Sequence, residues 1–313
     1  MKRVRLIALV AVVAAATACR TPLAIQEPPP ADTRSLEQLQ AAAADGDARA
    51  QVTLGVRYCN GKGVELDYAK ARQLFEQAAA DDFGGGYFRL GWLAQYGRGG
   101  PKDLEKAAEH YRRAAELGHP GAMFRLGHHY YVGTDDRERD LAKAFTYFER
   151  GAKRGHTGAM HNLAVMYLNG EHVAKSEPTA ARWARAAAER GNILAMHKLG
   201  IMRLAGVGMR RNSKKAVAWF EKAAGKGDVP SMVYLGNMLL FGRGIDQDYY
   251  RAASWFTRAA AAGHPHAMFR LGRMLEKGLG CEVNVAEARK WYAKAAEAGS
   301  SAAKKALTEL DGS

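Results

Sequence analysis

A unit of about 36 residues recurs seven times along this 313-residue chain, and that recurrence restricts the fold more than any other feature. A glycine at Gly55, Gly91, Gly127, Gly200, Gly236 and Gly272 marks the register, with Ala164 in its place once. The spacings are 36, 36, 37, 36, 36 and 36 residues. A leucine always precedes this anchor (Leu54, Leu90, Leu126, Leu163, Leu199, Leu235, Leu271). A small residue always stands five before it (Ala50, Gly86, Ala122, Ala159, Ala195, Ser231, Ala267). At about 100° per residue these positions form one stripe, so this half of the unit is an amphipathic helix whose small residues admit a second helix closely.

A glycine six after the anchor ends that helix in every unit (Gly61, Gly97, Gly133, Gly170, Gly206, Gly242, Gly278). After a short loop, Asp67, Asp103, Asp140, Ser176, Asn212, Asp248 and Asn284 stand where a second helix opens; all are good N-caps. Four on comes an alanine, and three further a large side chain (Leu74, His110, Tyr147, Trp183, Trp219, Trp255, Trp291). Glycine ends this second helix too, with Asp82 the exception. One such helix pair cannot bury its apolar face alone, and stacking makes the core continuous. The expected fold is an all-α, right-handed superhelical solenoid of seven helix-turn-helix repeats, its concave side lined by the first helices.

The run Ala50 to Val64 (A-x-x-x-L-G-x-x-Y-x-x-G-x-G-V) and the run Lys70 to Ala79 (K-A-x-x-x-F-x-x-A-A) resemble the Sel-one-like repeat (SLR) family, relatives of the tetratricopeptide repeats. The resemblance covers about residues 36 to 300. It implies adaptors and scaffolds with diverse protein partners, such as lipoproteins of exopolysaccharide export machines or restrainers of sensor kinases. Cysteine-rich members, some linked to penicillin binding or hydrolysis, carry regular cysteine pairs in each repeat; this chain, with three cysteines, does not.

The chain divides into a leader (1–19), a proline-rich tether (20–34), an N-terminal capping helix (35–49), seven repeats (50–300, starting near 50, 86, 122, 159, 195, 231 and 267) and a C-terminal cap (301–313). Lys2, Arg3 and Arg5 precede an apolar run from Leu6 to Ala16, too short to span a membrane. Ala16-Thr17-Ala18-Cys19 resembles a bacterial lipoprotein processing box, which implies lipidation of Cys19, anchoring through that lipid and a periplasmic location. Arg20, rather than Asp, then favours the inner leaflet of the outer membrane. An ordinary secretory cleavage after Ala18 fits the same residues. Ser35 with Gln38 forms a capping box for the first helix.

The middle of the array is irregular. Repeat three carries one extra loop residue, and Thr134 to Arg139 replace its G-x-G turn. Repeat four has Ala164 for the anchor glycine, His172 for the second loop glycine and Ala184 where the others have Phe or Tyr. These departures read either as drift in a tolerant array or as a binding site or change of curvature.

No catalytic constellation stands out. The G-x-G pairs recur with the repeat and follow helices, so they are turns rather than phosphate loops. Ser301-x-x-Lys304 has a serine–lysine spacing found in penicillin-recognising enzymes, but without companion motifs. His119, His156 and His264 share an inter-repeat position suited to capping. His161 and His197 lie one repeat apart at equivalent positions, without the further ligands a zinc site needs. No cofactor or metal is expected.

A ladder is more informative. Two before the anchor stand Thr53, Arg89, Arg125, Asn162, Lys198, Tyr234 and Arg270. On a helical wheel this position lies well off the apolar stripe, towards the open face, and Trp92, His128, Asn237 and Arg273, one after the anchor, join it. The formal charge is +14, and removing the leader's Lys2, Arg3 and Arg5 leaves +11. Such a charge favours anionic partners. The candidate partner-binding residues are Arg89, Trp92, Arg125, His128, Lys198, Tyr234, Arg270 and Arg273. The expected function is a non-catalytic periplasmic scaffold gripping envelope proteins; direct binding of an anionic polysaccharide or peptidoglycan is the alternative, and cell-wall or β-lactam hydrolysis the third. Export argues against nucleic acid.

Overall fold

Seven repeat units, six of them anchored by glycine, become seven helix pairs. The structure, a computed structural model, describes residues 34–133 and 138–311, and among them contains sixteen α-helices and no strand. Helix α1 (Leu36–Ala44) precedes the repeats. The first helices are α2 (Ala48–Asn60), α4 (Gly84–Tyr96), α6 (Pro120–Val132), α8 (Thr157–Asn169), α10 (Ile193–Ala205), α12 (Val229–Phe241) and α14 (Pro265–Lys277). The second helices are α3 (Tyr68–Ala80), α5 (Leu104–Glu116), α7 (Leu141–Lys153), α9 (Glu177–Glu189), α11 (Ser213–Gly225), α13 (Tyr249–Ala261) and α15 (Val285–Glu297), and α16 (Ser301–Asp311) closes the array. Each helix packs on its neighbours in sequence, the defining geometry of an all-α solenoid. Cys19 and the 134–137 part of the irregular loop lie outside the described residues.

Local chemistry sets the boundaries. All seven predicted N-caps of the second helices accept a hydrogen bond from the backbone N–H three residues on, as Asp67 does from Lys70 at 2.9 Å. The backbone N–H of each of these caps also donates to the carbonyl three residues past the anchor, closing the helix pair. Asp67 to Tyr58 and Asn284 to Leu275 are the first and last of these bonds, at 3.0 and 2.9 Å. Repeat three keeps the bond, from Asp140 to Tyr130 at 2.9 Å, so its extra residue is absorbed within the loop. There Gly133 takes an extended ψ of −175° instead of the left-handed turn that ends the other first helices. Ser35 and Gln38 form the reciprocal capping box at α1.

The core of six of the seven pairs is a close approach of anchor glycine to aromatic ring. A Cβ on Gly55 would stand 2.5 Å from the Phe75 ring, and one on Gly200 or Gly272 would stand 2.6 Å from Phe220 or Tyr292. The ring that fills this space is therefore Phe75, Tyr111, Phe148, Phe220, Phe256 or Tyr292, all buried. The large residues singled out in the sequence, Leu74 to Trp291, stand one position earlier and are half-buried. Three of the tryptophans carry a cation from the next turn: Lys222 lies 4.5 Å from the Trp219 ring centre, Arg258 4.4 Å from Trp255 and Lys294 4.7 Å from Trp291.

The ends are covered. Leu39 of α1 is fully buried among Ala50 and Leu54, and Gln51 donates to the Ala43 carbonyl at 3.2 Å. At the other end Ala303 and Ala306 are buried on α15, with Lys304, Lys305 and Glu309 exposed. First helices of neighbouring repeats touch, α2 with α4 and α6 with α8, and no two consecutive second helices meet as extensively. That puts the first helices on the tighter, inner side of the stack.

Candidate binding groove on the first helices

The wheel position two before the anchor does reach the inner face. A pocket of about 270 Å³ is lined by α4, α6, α8 and α10 alone, with their N-terminal loops. Its walls are Arg89 and Trp92, then Phe124 and Arg125, then Thr157, His161 and Asn162, and its rim includes Asn192 and the 60% exposed Leu194. Three ladder residues from successive repeats, Arg89, Arg125 and Asn162, thus converge with Trp92 on one cavity. No Asp or Glu lines it.

The depth of these residues differs from the sequence expectation. Arg89 is 4% exposed and Trp92 7% exposed, whereas a fully open face was expected. Thr53, at the same wheel position, is buried as well and donates to the Arg49 carbonyl at 2.9 Å. Wheel angle gives direction from one helix axis only, and side chains of adjacent first helices close over these positions. Arg89 stacks on Phe88, with its guanidinium carbon 5.4 Å from the ring centre. Arg125 is half-buried and also borders a second cavity, which His128, exposed, helps to line.

The other ladder residues lie towards the C-terminus. Tyr234, 38% exposed, stacks on Phe220 at 5.0 Å and meets His197 edge-on at 5.5 Å. Arg270 donates to His266 Nε2 at 3.2 Å and lies 5.4 Å from the centre of the exposed Phe241 ring. Burial and the nearby Arg273 charge lower the Arg270 pKa. Lys198 is half-buried, close enough to affect His161. The ladder therefore varies in depth along the array, and Lys198, beside His161, links the pocket to the residues further on.

The histidines divide by role. His119 and His156 cap their helices through Nδ1, accepting from Ala122 at 3.3 Å and Ala159 at 3.0 Å, and each stacks on a phenylalanine. His264 holds the equivalent position with no side-chain cap, and its Nδ1 is buried without a hydrogen-bond partner. His197 Nδ1 stands 2.8 Å from Ser231 Oγ and 3.3 Å from Asp228 Oδ2, joining α10 to the start of α12. His161, in the pocket, has a buried Nδ1 without a hydrogen-bond partner. Burial, then the charges of Lys198 and His197, push its pKa down to about 4, so it is neutral at physiological pH. Sequence reasoning noted it only as the equivalent of His197 one repeat on, without the ligands of a metal site; its position in the cavity wall was signalled only by its standing next to the ladder residue Asn162.

Among the described residues no group of three or more His, Cys, Asp or Glu side chains is placed to hold a metal ion. Ser301 and Lys304 are both exposed on α16. Cys59 and Cys281 are free thiols. No helix among the described residues is long and apolar enough to cross a membrane.

Known proteins share this fold. The chain is similar to a protective antigen present in uropathogenic Escherichia coli strains that displays an SLR fold, at 34% identity and a TM-score of 0.77. The match covers 88% of this chain and 59% of that one, so this chain spans about three-fifths of the antigen's length. It is also similar to a Sel1 repeat protein from Oxalobacter formigenes, at 32% identity and a TM-score of 0.67, over 88% of this chain and 79% of that one. No curated protein matches the chain. The Sel1 repeat profile matches seven consecutive segments, residues 48–83, 85–119, 120–156, 157–192, 193–228, 229–264 and 265–300. Each segment begins within two residues of the start of a first helix, so the profile and the helix pairs describe the same unit, and the chain belongs to the Sel1 repeat family.

Proposed function

We propose that this chain is a non-catalytic scaffold of the bacterial cell envelope whose inner face grips a protein partner. Sel1 repeat proteins generally mediate protein–protein interactions as scaffolds, and the family consists mainly of non-catalytic members. The observation that carries the reading here is the pocket framed by Arg89, Trp92, Arg125 and Asn162. It joins cations and an aromatic ring from consecutive repeats, and no carboxylate lines it. Arginine and tryptophan are the side chains that most often dominate protein interfaces. The sequence Ala16-Thr17-Ala18-Cys19 supports anchoring of this scaffold by a lipid on Cys19 at the periplasmic side of the outer membrane.

Crosslinking in intact envelopes, followed by recovery of the tagged protein, tests the reading. Charge reversal belongs at Arg125, Lys198 and Arg270, which are half-buried, and not at Arg89, where a buried carboxylate would perturb the fold. A discrete partner protein lost in the reversed variant is the expected result. Salt-sensitive retention on an anionic glycan with no protein partner would replace the reading with direct glycan binding. The mass of the mature N-terminus checks the anchor: a diacylglyceryl-modified Cys19 is expected, and an unmodified N-terminus at Cys19 would remove it.

A further inference from the structure

Arg125 is the common wall of two cavities. On one side is the pocket of Arg89 and Trp92. On the other is a cavity of about 290 Å³ between α5 and α6, with Leu104, Ala108, Leu126 and Val132 in its lining. The second cavity is the more apolar, and two of its apolar residues stand open to solvent, Leu104 at 56% and Val132 at 61% exposed. No Asp or Glu lines either cavity.

We propose that the two cavities flanking Arg125 form one site for an extended acidic peptide segment, in which a carboxylate meets Arg125 and a bulky apolar side chain on the same face of the segment enters the Leu104–Val132 cavity. This rests on the scaffold reading and names what the inner face takes. Guanidinium binds carboxylate through two parallel N–H donors, which fixes the peptide's register as well as its charge. Arg89 adds a second cation at a desolvated depth, where charge interactions are screened less than at the surface. The neutral His161 adds a polar group with an unmet hydrogen-bonding nitrogen and no further charge. In an extended chain residues i and i+2 share a face, about 7 Å apart, the scale of a single arginine side chain. The apolar cavity asks for more than charge: a partner of uniform negative charge would leave it empty.

The test is fluorescence anisotropy with the whole mature chain and a labelled peptide of repeated Asp-Ser-Leu-Ser. The controls are the same peptide with Ser for Leu, the same with Lys for Asp, and polygalacturonate as an anionic glycan. Binding of the first peptide is expected, weakened about tenfold or more in Arg125→Ala. Leu104→Asp is expected to weaken it about fivefold. Leu104 is the first residue of α5, where an acid suits the helix, so that variant keeps its fold. Equal binding of the leucine-free peptide, or affinity unchanged in Arg125→Ala, overturns the proposal. Polygalacturonate binding that depends on Arg125, with no peptide binding, overturns it in favour of a glycan. No peptide binding at about 1 mM, while crosslinking still recovers a partner that depends on the charged ladder, overturns this inference and leaves the scaffold reading standing.

Discussion

Ala164 and Ala184 are a compensated pair: in repeat four they occupy the places of the anchor glycine and of the ring packed on it, and both are fully buried in one cluster. In the six other repeats a Cβ on the glycine would stand 2.5 to 2.8 Å from that ring. Adding the Cβ of Ala164 is possible because the ring is gone. Two departures that look independent in the sequence are thus one packing exchange, and neither needs a ligand to explain it.

Restoring one member alone will therefore be costly. Ala184→Phe is expected to destabilise the protein by about 1–3 kcal/mol through overpacking against Ala164. Ala164→Gly adds about 1 kcal/mol of helix cost. The double variant recreates the pair of the other repeats and is expected to be more stable than the sum of the single effects by at least about 1 kcal/mol. Urea unfolding of the four proteins reads this coupling; strict additivity would show that the two residues are independent.

Loop glycines with the same backbone sign are expected to differ in tolerance. Gly63 and Gly208 have φ of 75° and 64°. Among the described residues a Cβ on Gly63 would meet nothing within 4 Å, whereas one on Gly208 would stand 2.0 Å from the Glu177 carbonyl oxygen. Gly63→Ala is expected to cost only the left-handed strain, about 1 kcal/mol, and Gly208→Ala clearly more. Thermal midpoints decide it, and equal losses would refute the contact argument. His172 shows that the strain alone is tolerated, holding φ of 65° at the equivalent place in repeat four.

Acidification will act most strongly through His161, with His110, His128, His264 and His266, also lowered by burial, adding in the same direction. His161 is held neutral in the fold, with a pKa of about 4 against an ordinary 6.5. Between those values the unfolded chain binds the extra proton, so stability falls as pH drops through 6.5 towards 4, by up to about 3 kcal/mol. His161→Gln makes this slope shallower, leaving the part due to His110, His128, His264 and His266. Asp228 is resolved from it: burial raises its pKa, but hydrogen bonds from His197 and Ser231 more than offset this and leave it below the usual carboxylate value. Its contribution is present above about pH 4 and is lost only below that. Unfolding free energies of wild type and His161→Gln at pH 7, 6 and 5 check the sign; parallel curves would show that His161 is solvated.

The two repeat cysteines will report unfolding separately. Cys59 is 4% exposed and its thiol is pushed up to about 12 by burial, whereas Cys281 is half-buried. Iodoacetamide at pH 8 is expected to label Cys281 in the folded protein and Cys59 only as repeat one opens. Peptide mass spectrometry over time separates them; simultaneous labelling would mean that repeat one opens as readily as the half-buried Cys281 reacts.

Much of this molecule is set by short-range chemistry and was therefore legible. The spacing of Gly55 to Gly272 gives the repeat. The seven caps from Asp67 to Asn284 and the capping box of Ser35 give the helix starts, because a cap satisfies an N–H only three residues away. Which large residue fills the core was not legible: Phe75 and Leu74, or Phe220 and Trp219, differ by one position, and only the approach of the partner glycine selects between them.

The candidate groove shows the same division. The sequence by itself determined that Arg89, Arg125, Lys198 and Tyr234 point away from the stripe of their own helices, since that direction depends on the helical period alone. Tertiary structure decided that Arg89 and Trp92 are buried while Tyr234 at an equivalent place stays open, that Arg125 divides two cavities, and that Ala164 answers Ala184. Those outcomes depend on side chains from other helices, as Ala184 is for Ala164 and Leu104 for Arg125, and on how tightly successive first helices draw together on the inner side of the stack. A helical period carries no information about either.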